Sequence, residues 1–526
     1  MGGYQMTNQR TRGYLLAFVG FAGFALIMVS TPWGIGVNHD SVYYLNSAEN
    51  VLAGAELSWQ AEGGELKPLT HYPPLYPIIL VLAGSLGFDL VDAARFLSAV
   101  LFGANLIGIA WLIDRYARNR WMAWVACCLG FISPILLDVH LMALTEPLFM
   151  LFMLISFAFI LEFLTHKTKR WIYLAAVASA LASLTRYAGL SLVATCALAI
   201  LFLWNADRRK RLLYAGTFLL VSLAPFFVWN VRNQFLTGAG VGRALRVHTI
   251  PVVKLKLGAE TMTRWVVPEQ AHFRIGVVLF SLVILGAGII MGRQIASGKQ
   301  KAGGWIENVH AKLSLVSILY VLVYGLFLFF SLTFVDASTP LDERILSPAY
   351  LMAFIAFFAT LSGVDWGEST KILERGLMIG LWIAMLLSYG WRSTGILKTM
   401  REEGRGFTAR KWSTSELIVK VNEMREDALI YTSDALRLSY LTGRSVYNIP
   451  QKLDPVQDTA IESYQDDLLQ MRERQRNPGA ALVLFSDSFA LYRPELPKIE
   501  EVTEGLRLFW STRHGVIYID PGNAEP

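Results

Sequence analysis

Six charged residues stand at the ends of long apolar runs: Asp40, Glu146, Arg186, Arg232, Asp342 and Arg344. A charge at the centre of a membrane helix costs about 2.5–3.5 kcal/mol on insertion scales, so charges near such runs mark structural pairs or sites. Carboxylates can take a proton as general bases, and guanidinium groups hold phosphate or stabilise developing negative charge. If these acids and cations meet at one cavity, the result is a site that activates a hydroxyl beside a bound anion.

Each residue also has a plainer role. Asp40 sits in Asn38-His39-Asp40-Ser41-Val42-Tyr43-Tyr44-Leu45, ahead of an amphipathic stretch from Ser41 to Leu52. An Asp there can simply cap a helix. Glu146 precedes Pro147, and a proline at the first turn makes Glu146 a candidate cap too. Arg186, in Thr185-Arg186-Tyr187-Ala188-Gly189, interrupts one long apolar stretch and suits a phosphate or a carboxylate such as Glu146. Arg232, in Trp229-Asn230-Val231-Arg232-Asn233, suits a phosphate or a lipid head group; Asp342-Glu343-Arg344 offers both internal pairing and a phosphate-facing guanidinium. His39, Tyr43, His71 and Tyr72 complete the polar set. Two histidines near one carboxylate raise the question of a divalent metal, but the chain has no HxH or HExxH spacing, so no metal ligands are assigned.

What must position these residues is a set of membrane helices. The chain has 526 residues, 54% hydrophobic and 17% charged, against about 25% charged in soluble domains. Apolar runs dominate up to Tyr389, and from Gly390 onward the chain reads like an ordinary soluble protein. Spans of about 20 apolar residues are expected near 14–31, 93–113, 121–138, 147–164, 171–186, 188–204, 212–230, 273–292, 313–335, 345–363 and 373–390. The run Pro73 to Gly87 is too short and opens on Pro73-Pro74.

Loop charge decides whether that short run spans. If it lies in the interface, the clusters Arg115/Arg118/Arg120, Lys167/Lys169/Arg170, Arg208–Arg211 and Arg293/Lys299/Lys301 all fall inside, as the positive-inside rule requires. The N-terminus is then cytoplasmic, the long loop 32–92 is outside, and eleven spans leave the C-terminal domain outside. All six charged residues then share the outer face. The first run follows Arg10 and Arg12 but lacks a small-residue cleavage pattern, so it reads as an uncleaved helix. The expected architecture is an α-helical polytopic membrane domain, 1–390, and a small soluble extracytoplasmic α/β domain, 391–526. In the latter, 428–432 and 481–485 read as buried strands, 436–441 and 459–474 as helices, and 506–510 with 515–519 as a hairpin.

Composition excludes several classes. The net charge is +6, but the basic residues lie in short loops, and neither a nucleic-acid motif nor a basic stripe with interleaved aromatics is present. Cys127, Cys128 and Cys196 all lie in apolar runs, so neither a thiolate metal site nor a disulfide in the C-terminal domain is expected. There is no GxGxxG, P-loop or internal repeat.

The ordered motifs resemble the C-type-fold glycosyltransferases that use polyprenyl-phosphate sugars, nearest the protein O-mannosyltransferases and the aminoarabinose transferases of lipid A. The residues are Asp40-Ser41-Val42-Tyr43-Tyr44…Ala48…Leu52-Ala53-Gly54, His71-Tyr72-Pro73-Pro74-Leu75-Tyr76-Pro77, Ala94-Arg95-Phe96, Glu146-Pro147, Pro225…Trp229…Arg232-Asn233 and Arg344-Ile345-Leu346-Ser347-Pro348. The chain departs from many relatives in Asp40-Ser41 for Asp-Glu, in Glu146-Pro147 for Asp-Pro, and in lacking a lysine near Arg186. The resemblance implies a bacterial inner-membrane enzyme moving a sugar from a polyprenyl-phosphate donor to a lipid, glycan or protein hydroxyl. It implies Asp40, with Glu146, as the catalytic acids; Arg186, Arg344 and Arg232 on the donor phosphate; and His39, Tyr43, His71, Tyr72 and Asp342 around the cavity. Competing readings are a transporter or flippase, which would show paired halves with helices broken at mid-membrane, a non-catalytic envelope scaffold, and a polymerase or ligase using diphosphate-linked donors.

Overall fold

The computed structural model describes residues 2–116, 119, 121–238, 240, 245–268, 272–298, 309–364, 372–489 and 495–523. Arg118, Arg120, Lys299 and Lys301 of the loop-charge argument lie outside the described residues. The apolar runs fold as helices: α1 Gly2–Ser30, α2 His39–Leu52, α3 Leu75–Ser85, α4 Leu90–Tyr116, α5 Trp121–Phe131, α6 Pro134–His140, α7 Glu146–His166 and α8 Lys169–Thr185. Then follow α9 Gly189–Leu203, α10 Arg208–Thr237, α11 Val252–Thr263, α12 Phe273–Gly298, α13 Val309–Phe334, α14 Glu343–Ser362 and α15 Ile372–Glu402. A small antiparallel hairpin, β1 Ser58–Gln60 and β2 Leu66–Pro68, joins α2 to α3.

All eleven expected runs fall on helices, yet they do not all cross as single straight spans. Among the described residues seven helices are long and apolar enough to cross a membrane, and α5 with α6 would make an eighth. That pair bends by 55°. The expected run 121–138 overlooked the cause: Pro134 cannot continue the donor ladder of the preceding helix, and Ser133 restarts it by accepting from the Leu136 amide. The run Pro73 to Gly87 yields only the short α3.

Close packing sets the bundle. Gly20 of α1 faces Gly103 of α4, and a Cβ on Gly103 would overlap the Gly20 carbonyl, so only glycine lets these backbones meet. α14 is buried along nearly all its length, whereas α12 presents Ile275, Val278, Leu282 and Leu285 outward, as a lipid-facing helix does.

Beyond α15 lie α16 Arg410–Ser413, α17 Glu416–Asn422, β3 Ile430–Thr432, α18 Ala435–Thr442, β4 Tyr447–Asn448, β5 Leu453–Asp454, β6 Thr459–Ala460, α19 Tyr464–Gln475, β7 Ala481–Phe485, α20 Ile499–Thr503, β8 Arg507–Thr512 and β9 Gly515–Ile519. A five-stranded sheet runs in the order β4-β3-β7-β9-β8, parallel across β4-β3-β7 and antiparallel from β7 onward. β7 is apolar throughout because both its faces are covered: Ala481, Val483 and Phe485 pack with α17 and α18, while Leu482 and Leu484 pack with α19 and α20. The helix expected over 459–474 starts only at Tyr464, since Thr459 and Ala460 pair with β5.

Candidate active site

The site is organised by the start of α2. After α1 the chain runs extended through Ile35, Gly36 and Val37. Gly36 pairs with the segment after α6, donating to the Leu141 carbonyl at 3.0 Å and accepting from the Ala143 amide at 2.8 Å. Val37 accepts from the Phe407 amide at 2.7 Å. Asn38 then caps α2, its side chain accepting from the Ser41 amide while Ser41 returns a bond to the Asn38 amide. This capping box answers the plainer reading of Asp40: Asn38 does the capping, and the Asp40 carboxylate is left for tertiary contacts.

Asp40 accepts a hydrogen bond from the Tyr72 hydroxyl at 2.5 Å and pairs with the Arg344 guanidinium. Arg344 lies in the first turn of α14, whose cap is Asp342, accepting from the Ile345 amide at 2.9 Å. The Nε of Arg344 is 3.7 Å from Glu146 Oε1. Glu146 is fully buried at the start of α7 and takes Arg186 Nη1 at 2.6 Å on the same oxygen. Arg186, in the break between α8 and α9, also donates to Thr145 Oγ1 at 2.9 Å. The structure thus brings together Tyr72, Asp40, Arg344, Glu146 and Arg186 from five separate segments, with acid and cation alternating.

Tyr43 and His71 stand beside this row. The Tyr43 ring meets Trp59 at 4.8 Å, His71 at 4.9 Å and Tyr72 at 5.4 Å. The loop carrying His71 is clamped at the Thr70 carbonyl, which accepts from Tyr187 Oη at 2.6 Å and from Asn233 Nδ2 at 3.3 Å. Arg232 does not join the row: it lies over the Trp229 ring at 4.7 Å and donates to the Leu69 carbonyl and to Asn233. His39 reaches the C-terminal unit, with Nε2 2.9 Å from an Asp434 oxygen.

Partial burial alone pushes the Asp40 carboxyl up, but the Arg344 charge and the Tyr72 hydrogen bond outweigh it and hold the group below the usual carboxylate range. Burial, then the Asp40 charge, push the Tyr43 phenol up to about 12. Burial likewise raises the carboxyl of Asp342. Asp40 is therefore the ionised member of the row, and the Tyr43 and Tyr72 phenols beside it stay protonated.

Next to the row opens a cavity of about 910 Å³, walled by Asn38, Asp138, Arg264, Arg344, Arg392 and Arg405 among others. Arg344 is common to cavity and row. Arg392 pairs with Glu343 and donates to the Arg264 carbonyl at 2.7 Å, and Arg405 pairs with Asp138. Sequence reasoning missed Arg264, Arg392 and Arg405; their only signal was a charge following an apolar helical stretch, which many surface arginines share. Among the described residues no group of three or more His, Cys, Asp or Glu side chains is placed to hold a metal ion.

Comparison with known proteins bears on the fold around this site. Residues 21–241 match the sequence model of the dolichyl-phosphate-mannose-protein mannosyltransferase family. The chain superposes on ArnT from Cupriavidus metallidurans in the apo state with a TM-score of 0.57 at 14% identity, covering 97% of this chain and 98% of that one. For the same protein bound to undecaprenyl phosphate the TM-score is 0.56 at 13% identity, over 96% and 98%. The oligosaccharyltransferase AglB from Archaeoglobus fulgidus, in complex with an inhibitory peptide and a dolichol-phosphate, gives 0.54 at 12% identity, over 90% of this chain and 70% of that one. A sequence search of curated proteins finds no match. The expected resemblance to that family is met over residues 21–241, and the chain shares the fold of these solved structures.

Proposed function

We propose that this multi-span membrane protein transfers a sugar from a polyprenyl-phosphate donor to an acceptor hydroxyl, with Asp40 as the base and Arg344 shared between base and leaving phosphate. One observation carries the reading: an ionised carboxylate, held by Tyr72 and by an arginine that also walls a large cavity. A glycosidase needs two carboxylates because an alkoxide leaves poorly without a proton. A phosphate leaves well, so one base and one cation suffice.

In this mechanism the acceptor hydroxyl gives its proton to Asp40 as its oxygen bonds to the anomeric carbon. The bond from that carbon to the phosphate oxygen breaks, and its electron pair leaves with the phosphate. Charge grows on the phosphate as it departs, and Arg344 is placed to stabilise it. As the guanidinium turns toward the phosphate, its hold on Asp40 weakens and the carboxylate becomes a stronger base. Arg186 and Glu146 keep Arg344 in place behind it. A single displacement inverts the anomeric centre, and a product of retained configuration would overturn it.

The donor class draws support from the family match and from neighbours solved with undecaprenyl phosphate or dolichol-phosphate. The loop charges support an inner-membrane orientation with the N-terminus cytoplasmic and the site and C-terminal unit outside. The acceptor is a lipid, glycan or protein hydroxyl.

The test is transfer of radiolabelled sugar from a panel of polyprenyl-phosphate sugars to a membrane extract, wild type against Asp40→Asn. Label incorporated only by the wild type supports the reading, and the productive donor names the sugar. Equal incorporation by both removes Asp40 as the base.

A further inference from the structure

The C-terminal unit grips the short segment that presents Asp40. Successive residues on a helix point about 100° apart. Asp40 turns toward Tyr72 and Arg344, whereas His39 turns toward the C-terminal unit. There Nε2 lies 2.9 and 3.0 Å from the two oxygens of Asp434. His39 is half-exposed, but Asp434 is buried and held on all sides. Its Oδ1 caps α18 by accepting from the Arg437 amide at 3.1 Å, and its Oδ2 pairs with Arg437 Nε at 3.0 Å. Arg437 is fixed in turn by Asp487 at 2.7 Å and by the Phe485 ring at 4.6 Å. The imidazole therefore docks on a rigid carboxylate.

A further fastening reaches the same segment. Phe407 donates its amide to Val37 and packs its ring on His39 at 5.1 Å. Beside it Gly406 has φ +66°, and a Cβ there would overlap the Val37 carbonyl. Past the end of α2, the loop between β1 and β2 is fastened separately: Gly63 donates to the Val446 carbonyl at 3.1 Å, and Asn448 donates to Glu62 at 2.9 Å. The start of α2 is thus held between the membrane bundle and the C-terminal sheet.

We propose that His39 and Asp434 form a positioning pair through which the C-terminal unit fixes the attitude of Asp40 toward the reacting atoms. The proposal rests on Asp40 acting as the base. Neither residue touches substrate in this account; the pair limits how far the first turn of α2 can swing. A misplacement of about 1 Å can cost on the order of 10²-fold in rate, so a loosened but still folded turn is expected to cost about tenfold.

The experiment compares purified full-length wild type, His39→Ala, His39→Gln, Asp434→Ala and the double variant His39→Ala/Asp434→Ala, with Asp40→Asn as reference. His39→Ala should lower kcat about tenfold and leave the donor KM within about twofold. His39→Gln, whose amide reaches the place of the imidazole Nε2, should recover most of that rate. The double variant should be no slower than the slower single, because the two residues act as one unit. Because His39 is half-exposed, its truncation leaves no core cavity, and a melting temperature matched to wild type confirms the comparison. Wild-type kcat in His39→Ala, or equal losses in His39→Ala and His39→Gln, overturns the proposal while Asp40→Asn is inactive. An active Asp40→Asn instead overturns the base assignment.

Discussion

Two rows of paired polar side chains begin one residue apart on α2. From Asp40 the row runs through Arg344 and Glu146 to Arg186; from His39 it runs through Asp434 and Arg437 to Asp487. Both join carboxylates to arginines, and they differ in what those carboxylates do. The second row ends against aromatic faces, with Arg437 over Phe485, Phe407 and Trp412, and its polar atoms serve a cap and a docking contact. Both rows border open space, the first a cavity of about 910 Å³ through Arg344 and the second one of about 600 Å³ through Arg437 and Asp487. Buried ion pairs contribute little net stability, because desolvation offsets their attraction. What separates the rows is the acid: Asp434 caps α18, whereas Asp40 caps no helix and faces Tyr72 and Arg344, so its charge is better explained by what it can do than by what it holds together.

The sharpest way to break this comparison is Asp40→Asn. The first row should lose its chemistry, with transfer falling about 10²–10⁴-fold while donor binding persists. If kinetics of the purified variant matched wild type, the distinction between a reactive and a structural row would fail.

Arg344→Ala should produce the largest loss of stability. It strips the charged partner from Asp40 and one of two charged partners from the fully buried Glu146. Removing one side of a buried pair costs about 3–5 kcal/mol, read as a drop in the denaturation midpoint in detergent. Arg437→Ala, the corresponding change in the second row, should cost less, about 2 kcal/mol. Asp434 there keeps His39 and the Arg437 backbone amide. Equal losses would mean that the rows differ only in position.

The first row is legible in the sequence and the second, past His39, is not, for a physical reason. Asp40, Glu146, Arg186 and Arg344 each interrupt or border an apolar run, and a charge in that setting stands out one residue at a time. Asp434 and Arg437 sit in a polar, soluble stretch where charges are ordinary, and only the folded chain brings Asp434 to His39, 395 positions away. The same limit hid Arg392 and Arg405 on the cavity wall. Helix existence was readable from apolar length. Helix continuity was not, because the bend between α5 and α6 depends on a single Ser133-Pro134 step, and the five residues before α19 went to strand pairing and a turn rather than to helix.

Acid titration probes both rows at once. Asp40 and Asp434 are each held below the usual carboxylate range, against the opposing effect of burial, by Arg344 and Tyr72 in one case and by His39 and Arg437 in the other. A folded-state pKa below the unfolded value of about 3.9 means that the pairing stabilises the fold above that pH and is lost as pH falls through the folded value. Melting temperatures from pH 6 down to pH 2.5 should therefore fall more steeply for wild type than for Asp40→Asn or Asp434→Asn. Parallel curves would show that neither carboxylate is paired in solution as it is in the fold.

Arg232 provides the smallest and most discriminating change. It resembles Arg344 in sequence setting, a cation at the end of an apolar helix, yet it lies over Trp229 and donates to the Leu69 carbonyl rather than to a carboxylate of the first row. Its cation–π contact is worth about 0.5–1 kcal/mol, and its hydrogen bond steadies the loop that carries His71 and Tyr72. Arg232→Ala should therefore raise the donor KM by only a few-fold and leave kcat nearly intact, at least tenfold milder than Arg344→Ala in kcat/KM. A loss equal to that of Arg344→Ala would place Arg232 on the donor phosphate. It would also extend the reactive row past the Thr70 clamp to the end of α10.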